Sequence, residues 1–274
     1  MGDSGGSQLD MKIRTFAELT TPDEGSLRFT PLGVATSGQL RPEDAAQFQQ
    51  RSIAPADLIP AVADGTRASF ERLRALHSYG VLCYDLFTVV DDLRWVVLEQ
   101  ALRERFIAFY TGAIPIVNGS GTRSVFRTSD FEAINVAFRR GGSHAKGWQL
   151  ELRSRQTAIR IPLTLGPLLR WARQEGLLNG QRNRRVEEVL FDRMRNRFAH
   201  GSGFRIGMPN QSALAIRDLA EIINRLWGET TPGGRLYPAP VERESARYRL
   251  VSGVVHRRSG LVPNGAAGRP TSGA

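Results

Sequence analysis

The chain has 274 residues, 41% hydrophobic and 23% charged, a balance that excludes a wholly disordered protein and gives room for one sizeable core. Its single cysteine, Cys83, excludes an internal disulfide and any multi-cysteine metal centre, and no run approaches the roughly 18 apolar residues of a membrane span. The net charge of +10 favours an anionic partner, with nucleic acid first.

Residues 1–11 are rich in Gly and Ser and read as disordered, without a basic and apolar leader of the secretory kind. Residues 12–40 read as loops or a small edge hairpin around 26–34. Pro42-Glu43-Asp44 opens a helix, with Pro and acids in its first turn. A second helix starts near Asp64-Gly65-Thr66 and carries Phe70, Leu73 and Leu76 at helical spacing. Residues 81–110 contain neither Pro nor Gly and read as one long helix, about 45 Å if unbroken. It is apolar around much of its circumference, so it belongs at the centre of a bundle, with His77 and Cys83 assigned to its core. Gly112 and Pro115 end it, and 116–128 read as a loop. Ser129-x-x-Glu132 has the form of a capping box and opens a short helix to about Arg139. Further helices are expected over 163–174, 181–199 and 212–227, with Gly201 in the position of a helix-ending glycine. The tail from 229 is basic and flexible, with one short strand within 247–255. The expected organisation is therefore an irregular extension (1–60), an all-α bundle (61–228) and a flexible tail (229–274).

Lys12 and Lys146 are the only lysines; the other basic residues are arginines, whose planar fork suits phosphate. They concentrate in Arg193-Met194-Arg195-Asn196-Arg197-Phe198-Ala199-His200-Gly201, at the end of an expected helix. The run Arg195-Asn196-x-x-x-His200 resembles the R-x(4–6)-H motif of the HEPN superfamily, in which a polar residue commonly follows the arginine. The long helix with Glu99 and Arg103, and the helix after the motif, also look like elements of that family. The resemblance covers roughly residues 64–228. It implies a helical bundle that dimerises, a composite site built from two motif helices, and metal-independent cleavage of RNA. On that resemblance Arg195, Asn196 and His200 are the catalytic candidates.

The residue chemistry is of the same type. RNA carries its own nucleophile, the 2′-hydroxyl, so cleavage needs a group to move protons and a group to hold the developing charge. Histidine does the first near neutral pH, and arginine does the second. No cofactor or metal is expected. Arg195 and His200 lie about 140° apart around a helix, whereas Asn196 shares the face of His200 and Arg193 is only about 20° away. Helical geometry thus favours Arg193 where the resemblance favours Arg195. Arg193, Arg197, Arg184 and Arg185 are the candidate RNA contacts, and Glu99 is the candidate supporting acid. Asp91 and Asp92 are expected on a solvated face. His144 belongs to a loop, and His256 with Arg257 and Arg258 adds only general charge to the tail. The leading reading is a cytoplasmic endoribonuclease, a toxin or defence effector with a neutralising partner protein and no membrane association. A second reading keeps the module without catalysis, binding RNA or protein. A third is a structural dimerisation domain whose arginines reflect a GC-rich genome.

Overall fold

The computed structural model describes residues 13–30, 33–34, 38–140, 147–155, 157–178, 207–228, 248–251 and 254–257. The N-terminal stretch makes two short helices, α1 (Phe16–Thr20) and α2 (Glu24–Leu27), before a small antiparallel pair, β1 (Phe29–Thr30) and β2 (Gly33–Val34). The hairpin expected over 26–34 is thus present only in its second part. Helix α3 (Pro42–Ile53) starts on Pro42 with Glu43 and Asp44 in its first turn, where the free N–H groups attract carboxylates. Helix α4 (Asp64–Tyr79) follows.

The long helix is shorter than the sequence suggests. It is α5 (Leu86–Tyr110), 25 residues and about 38 Å long. The helix is broken over residues 80–85, where the carbonyls of Gly80 and Val81 are taken by other partners. Ser26 Oγ donates to Gly80 O at 2.7 Å, and the Asp23 N–H donates to Val81 O at 2.9 Å. Gly80 also has no side chain where the Phe87 ring packs; a Cβ there would lie 2.3 Å from the ring. His77 therefore belongs to α4, where it is buried, and Cys83 is exposed in the turn rather than in the core. At its other end α5 stops on Thr111 and Gly112, both with positive φ (50° and 70°), which turns the chain directly into a strand.

That strand belongs to a four-stranded antiparallel sheet, so the fold is helix-rich but not all-α. Strands β3 (Ala113–Val117), β4 (Arg123–Arg127), β5 (Gln149–Glu151) and β6 (Ala158–Arg160) lie in the order β4-β3-β5-β6. The expected loop over 116–128 is mostly the β3–β4 hairpin. Asn118 Oδ1 closes its turn by accepting from the Ser120 and Thr122 N–H groups at 3.1 and 2.8 Å. Ile114, Ile116, Leu150 and Ile159 point inward, and the alternate residues face outward.

Helix α6 (Phe131–Asn135) is capped by Asp130 rather than Ser129, and continues as a π-helical turn, Val136–Arg140. Helices α7 (Leu165–Gln174) and α8 (Pro209–Leu226) match the expected helices closely, with α8 opening three residues earlier than expected, on Pro209. Helix α5 packs against α4, α7, α8 and β3, while α3 lies on α4 and α8. One core joins these helices to the inner face of the sheet; Leu98, Phe106, Tyr110, Ile114, Leu150, Trp171 and Ile223 all belong to it. Residues 239–274 form a separate unit, in which β7 (Tyr248–Val251) pairs antiparallel with β8 (Val254–Arg257), a hairpin where one strand was expected.

Candidate functional site

Arg193, Arg195, Asn196, Arg197 and His200 lie outside the described residues, as do Arg184, Arg185, His144 and Arg258. What the structure describes is the frame on either side of residues 179–206. Before the interval, Glu175 accepts a hydrogen bond from Tyr110 OH at 2.8 Å, at the C-terminal end of α5. After it, the Gly207 N–H donates to Thr88 Oγ1 at 2.7 Å, in the first turn of α5. A Cβ on Gly207 would lie 2.8 Å from the Thr88 backbone, so only glycine allows this approach. Thr88 and Tyr110 are separated by about 33 Å along the helix.

Glu99 lies between those two ends. Its side chain is 13% exposed and accepts from Arg103 Nη2 at 2.6 Å, one helical turn away. It lines a cleft of about 740 Å³ between α5 and the start of α6, with Val96, Arg103, Glu104, Ile107 and Phe131. Arg103 also lies 5.2 Å from the Phe131 ring centre, so one arginine bridges acid and aromatic wall. Asp91 is not solvated as expected. It is 2% exposed and 3.1 Å from Arg94, whose guanidinium stacks on Trp95 at 4.4 Å. Asp92 is half-buried.

Three polar clusters that the sequence did not reveal hold the frame. Glu104 reaches from α5 to the start of α4, where it accepts from the Thr66 N–H at 3.1 Å and Thr66 Oγ1 at 2.7 Å. It does the work of an N-cap, since Ala63 offers no side-chain acceptor. Gly65 leaves the space for it: a Cβ there would lie 2.4 Å from Glu104 Oε1. His77 is fully buried between Ser212 Oγ (2.9 Å from Nδ1) and Ser52 Oγ (3.3 Å from Nε2), tying α4 to α8 and α3. Burial pushes its pKa down to about 4, so it stays neutral at physiological pH. Glu175 accepts the N–H groups of Arg153 and Ser154 as well as the Tyr110 hydroxyl, joining α7, α5 and the β5–β6 turn. Burial raises the pKa of Tyr110, so its hydroxyl remains a donor.

Arginines of the described surface differ in their pairing, and exposed ones that bridge no described carboxylate occur on helices, as Arg72 and Arg217 do, as well as on the sheet. Arg67, Arg74, Arg94 and Arg103 each bridge a carboxylate one turn away on the same helix. On the outer face of the sheet, Arg123 bridges Glu151 at 2.8 Å, while Arg127 and Arg160 are exposed and bridge no carboxylate among the described residues. The signal for this face was the alternation Arg123-x-Val125-x-Arg127 after a Gly/Ser turn, obscured by Pro115 and the neighbouring glycines. No described helix is long and apolar enough to cross a membrane. The chain matches no protein-family model, no curated protein and no solved structure.

Proposed function

We propose that the chain is a HEPN-like, metal-independent endoribonuclease acting as a homodimer. The observation that carries this reading is the run Arg195-Asn196-Arg197-Phe198-Ala199-His200, in a basic, helix-rich chain and directly ahead of α8. Two features of the frame support it. The anchors at the ends of α5 are about 33 Å apart, and the helix expected over 181–199 would measure about 28 Å. Glu99 and Arg103 lie in a cleft midway along α5, within the stretch that such a helix would cross.

In the proposed reaction the RNA 2′-oxygen attacks its own phosphorus and the bond to the 5′-oxygen breaks. His200 of one protomer takes the 2′-hydroxyl proton, and the second His200 of the composite site supplies a proton to the departing 5′-oxygen. Arg195 holds the charge that grows on the phosphate, and Asn196 orients it. Arg193, Arg197, Arg184 and Arg185 hold flanking phosphates, and Glu99 supports the arginines. A cytoplasmic toxin or defence effector restrained by a neutralising protein fits this chemistry. The unbridged arginines of the sheet also suit the second reading, a module that binds RNA without cutting it.

The deciding experiment compares wild type with His200→Ala, Arg195→Ala and Arg193→Ala on a mixed RNA pool, with oligomeric state followed by sedimentation. The expected loss is about 10²–10⁴ in rate for His200→Ala and about 10²–10³ for Arg195→Ala. Arg193→Ala weakens RNA affinity instead. A monomeric wild type, or full activity in His200→Ala, contradicts the reading; RNA binding without any product favours the second one.

A further inference from the structure

We infer that the outer face of the four-stranded sheet is a binding platform for single-stranded RNA, with Arg127 and Arg160 as its phosphate contacts. The inference rests on RNA being the partner of this chain, and it adds a surface distant in sequence from the Arg195–His200 run.

The pairing register sets the geometry. Arg123 lies opposite Val117, Val117 opposite Gln149, and Gln149 opposite Arg160. These residues therefore form one row across all four strands, on the face opposite buried Ile116 and Leu150. Three strand spacings put Arg123 and Arg160 about 14 Å apart, and four residues along β4 put Arg123 and Arg127 about 13 Å apart. Arg127 and Arg160 thus stand on a diagonal of about 20 Å, and the ground between them holds Pro115, Val117, Val125 and Gln149 together with Glu151. Val125 is half exposed. Glu151 is the one strand carboxylate on this face, and Arg123 holds it at 2.8 Å. Arg153 is engaged elsewhere, donating to Phe109 O at 2.9 Å and stacking on Tyr110, so it is not counted among the contacts.

Charge and shape together select the occupant. Two guanidinium forks that bridge no described carboxylate favour an anion that reaches both. Some helix arginines are neutralised one turn away and others, Arg72 and Arg217 among them, bridge no described carboxylate, so what distinguishes the sheet is that it sets its arginines on one flat face with a single, already paired carboxylate. A partly apolar strip between the forks, its one carboxylate held by Arg123, suits a strand that offers base faces as well as phosphates. A duplex keeps its base faces stacked inside and would leave that strip uncovered. An acidic peptide would meet the forks but gains nothing from the strip.

The test uses full-length protein and a short, unstructured, fluorescent RNA with 2′-O-methyl riboses, which binds but has no free nucleophile. Anisotropy is read for wild type, Arg127→Gln/Arg160→Gln and the control Arg72→Gln/Arg217→Gln of equal charge change, each checked for fold by circular dichroism. The expected result is a loss of about tenfold in the sheet variant, with a salt slope smaller by about 0.7 for each lost phosphate contact. The control retains wild-type affinity. Wild-type affinity and slope in the sheet variant, or an equal loss in the control, overturn the platform. Polyglutamate or duplex RNA binding as tightly as the single strand overturns single-stranded RNA as its occupant. Cleavage of unmodified RNA is measured in parallel. A wild type that cleaves while the sheet variant binds and cleaves unchanged removes only the platform; a wild type that neither binds nor cleaves removes the RNA reading as well.

Discussion

His77 shows how one buried side chain makes stability depend on pH. An unfolded histidine takes up its proton near pH 6.5, but His77 in the fold does so only near pH 4. Between those values the unfolded state binds the extra proton, so stability falls as pH drops from about 6.5 to about 4, by about 3 kcal/mol in all. Urea titrations at pH 7 and pH 5 should show that fall in the wild type, and a smaller one in His77→Gln, which has no ring to protonate. Glu104 gives a second residue-scale prediction. Glu104→Ala leaves the buried Thr66 N–H and hydroxyl without their acceptor, at a cost of about 2 kcal/mol. Glu104→Gln keeps an acceptor oxygen and should lose less than half of that. Equal losses in the two variants would mean that the cap depends on charge alone. Neither role was legible in the sequence, because each depends on residues brought together from distant helices.

Elements were legible where period and punctuation agreed. The Pro42 and Asp64 helices, the apolar character of α5 and the helix before Gly176 follow from helical spacing and flanking Pro or Gly. The break at residues 80–85 was not, since the absence of Pro and Gly from 81–110 says nothing of Ser26 and Asp23 claiming two carbonyls. The sheet was missed for a different reason. Its strands are 3 to 5 residues long, one contains Pro115, and Leu150 and Ile159 become an alternating pattern only once their pairing is known. At this scale Gly80→Ala is informative, because its φ of −56° suits alanine and only space forbids it. The buried Phe87 ring must move, so thermal unfolding should show a loss of about 1–3 kcal/mol. An unchanged melting temperature would show that the turn after α4 does not depend on this contact.

For the whole molecule, the net charge of +10 favours an anionic partner, and the proposed reading makes that partner RNA. The frame leaves the ends of α5 attached on both sides of residues 179–206, and the motif that carries the proposed chemistry lies within that interval. The proposal makes a definite statement about atoms: the nucleophile belongs to the RNA, and the protein supplies proton transfer and charge stabilisation. The most direct test is to incubate wild type and His200→Ala with RNA and with its 2′-O-methyl counterpart, in EDTA, and to identify the ends of every product. The predicted result is cleavage of unmodified RNA by wild type alone, leaving 2′,3′-cyclic phosphate and 5′-hydroxyl ends. Products with 3′-hydroxyl and 5′-phosphate ends, cleavage of the 2′-O-methyl strand, or undiminished cleavage by His200→Ala would contradict it.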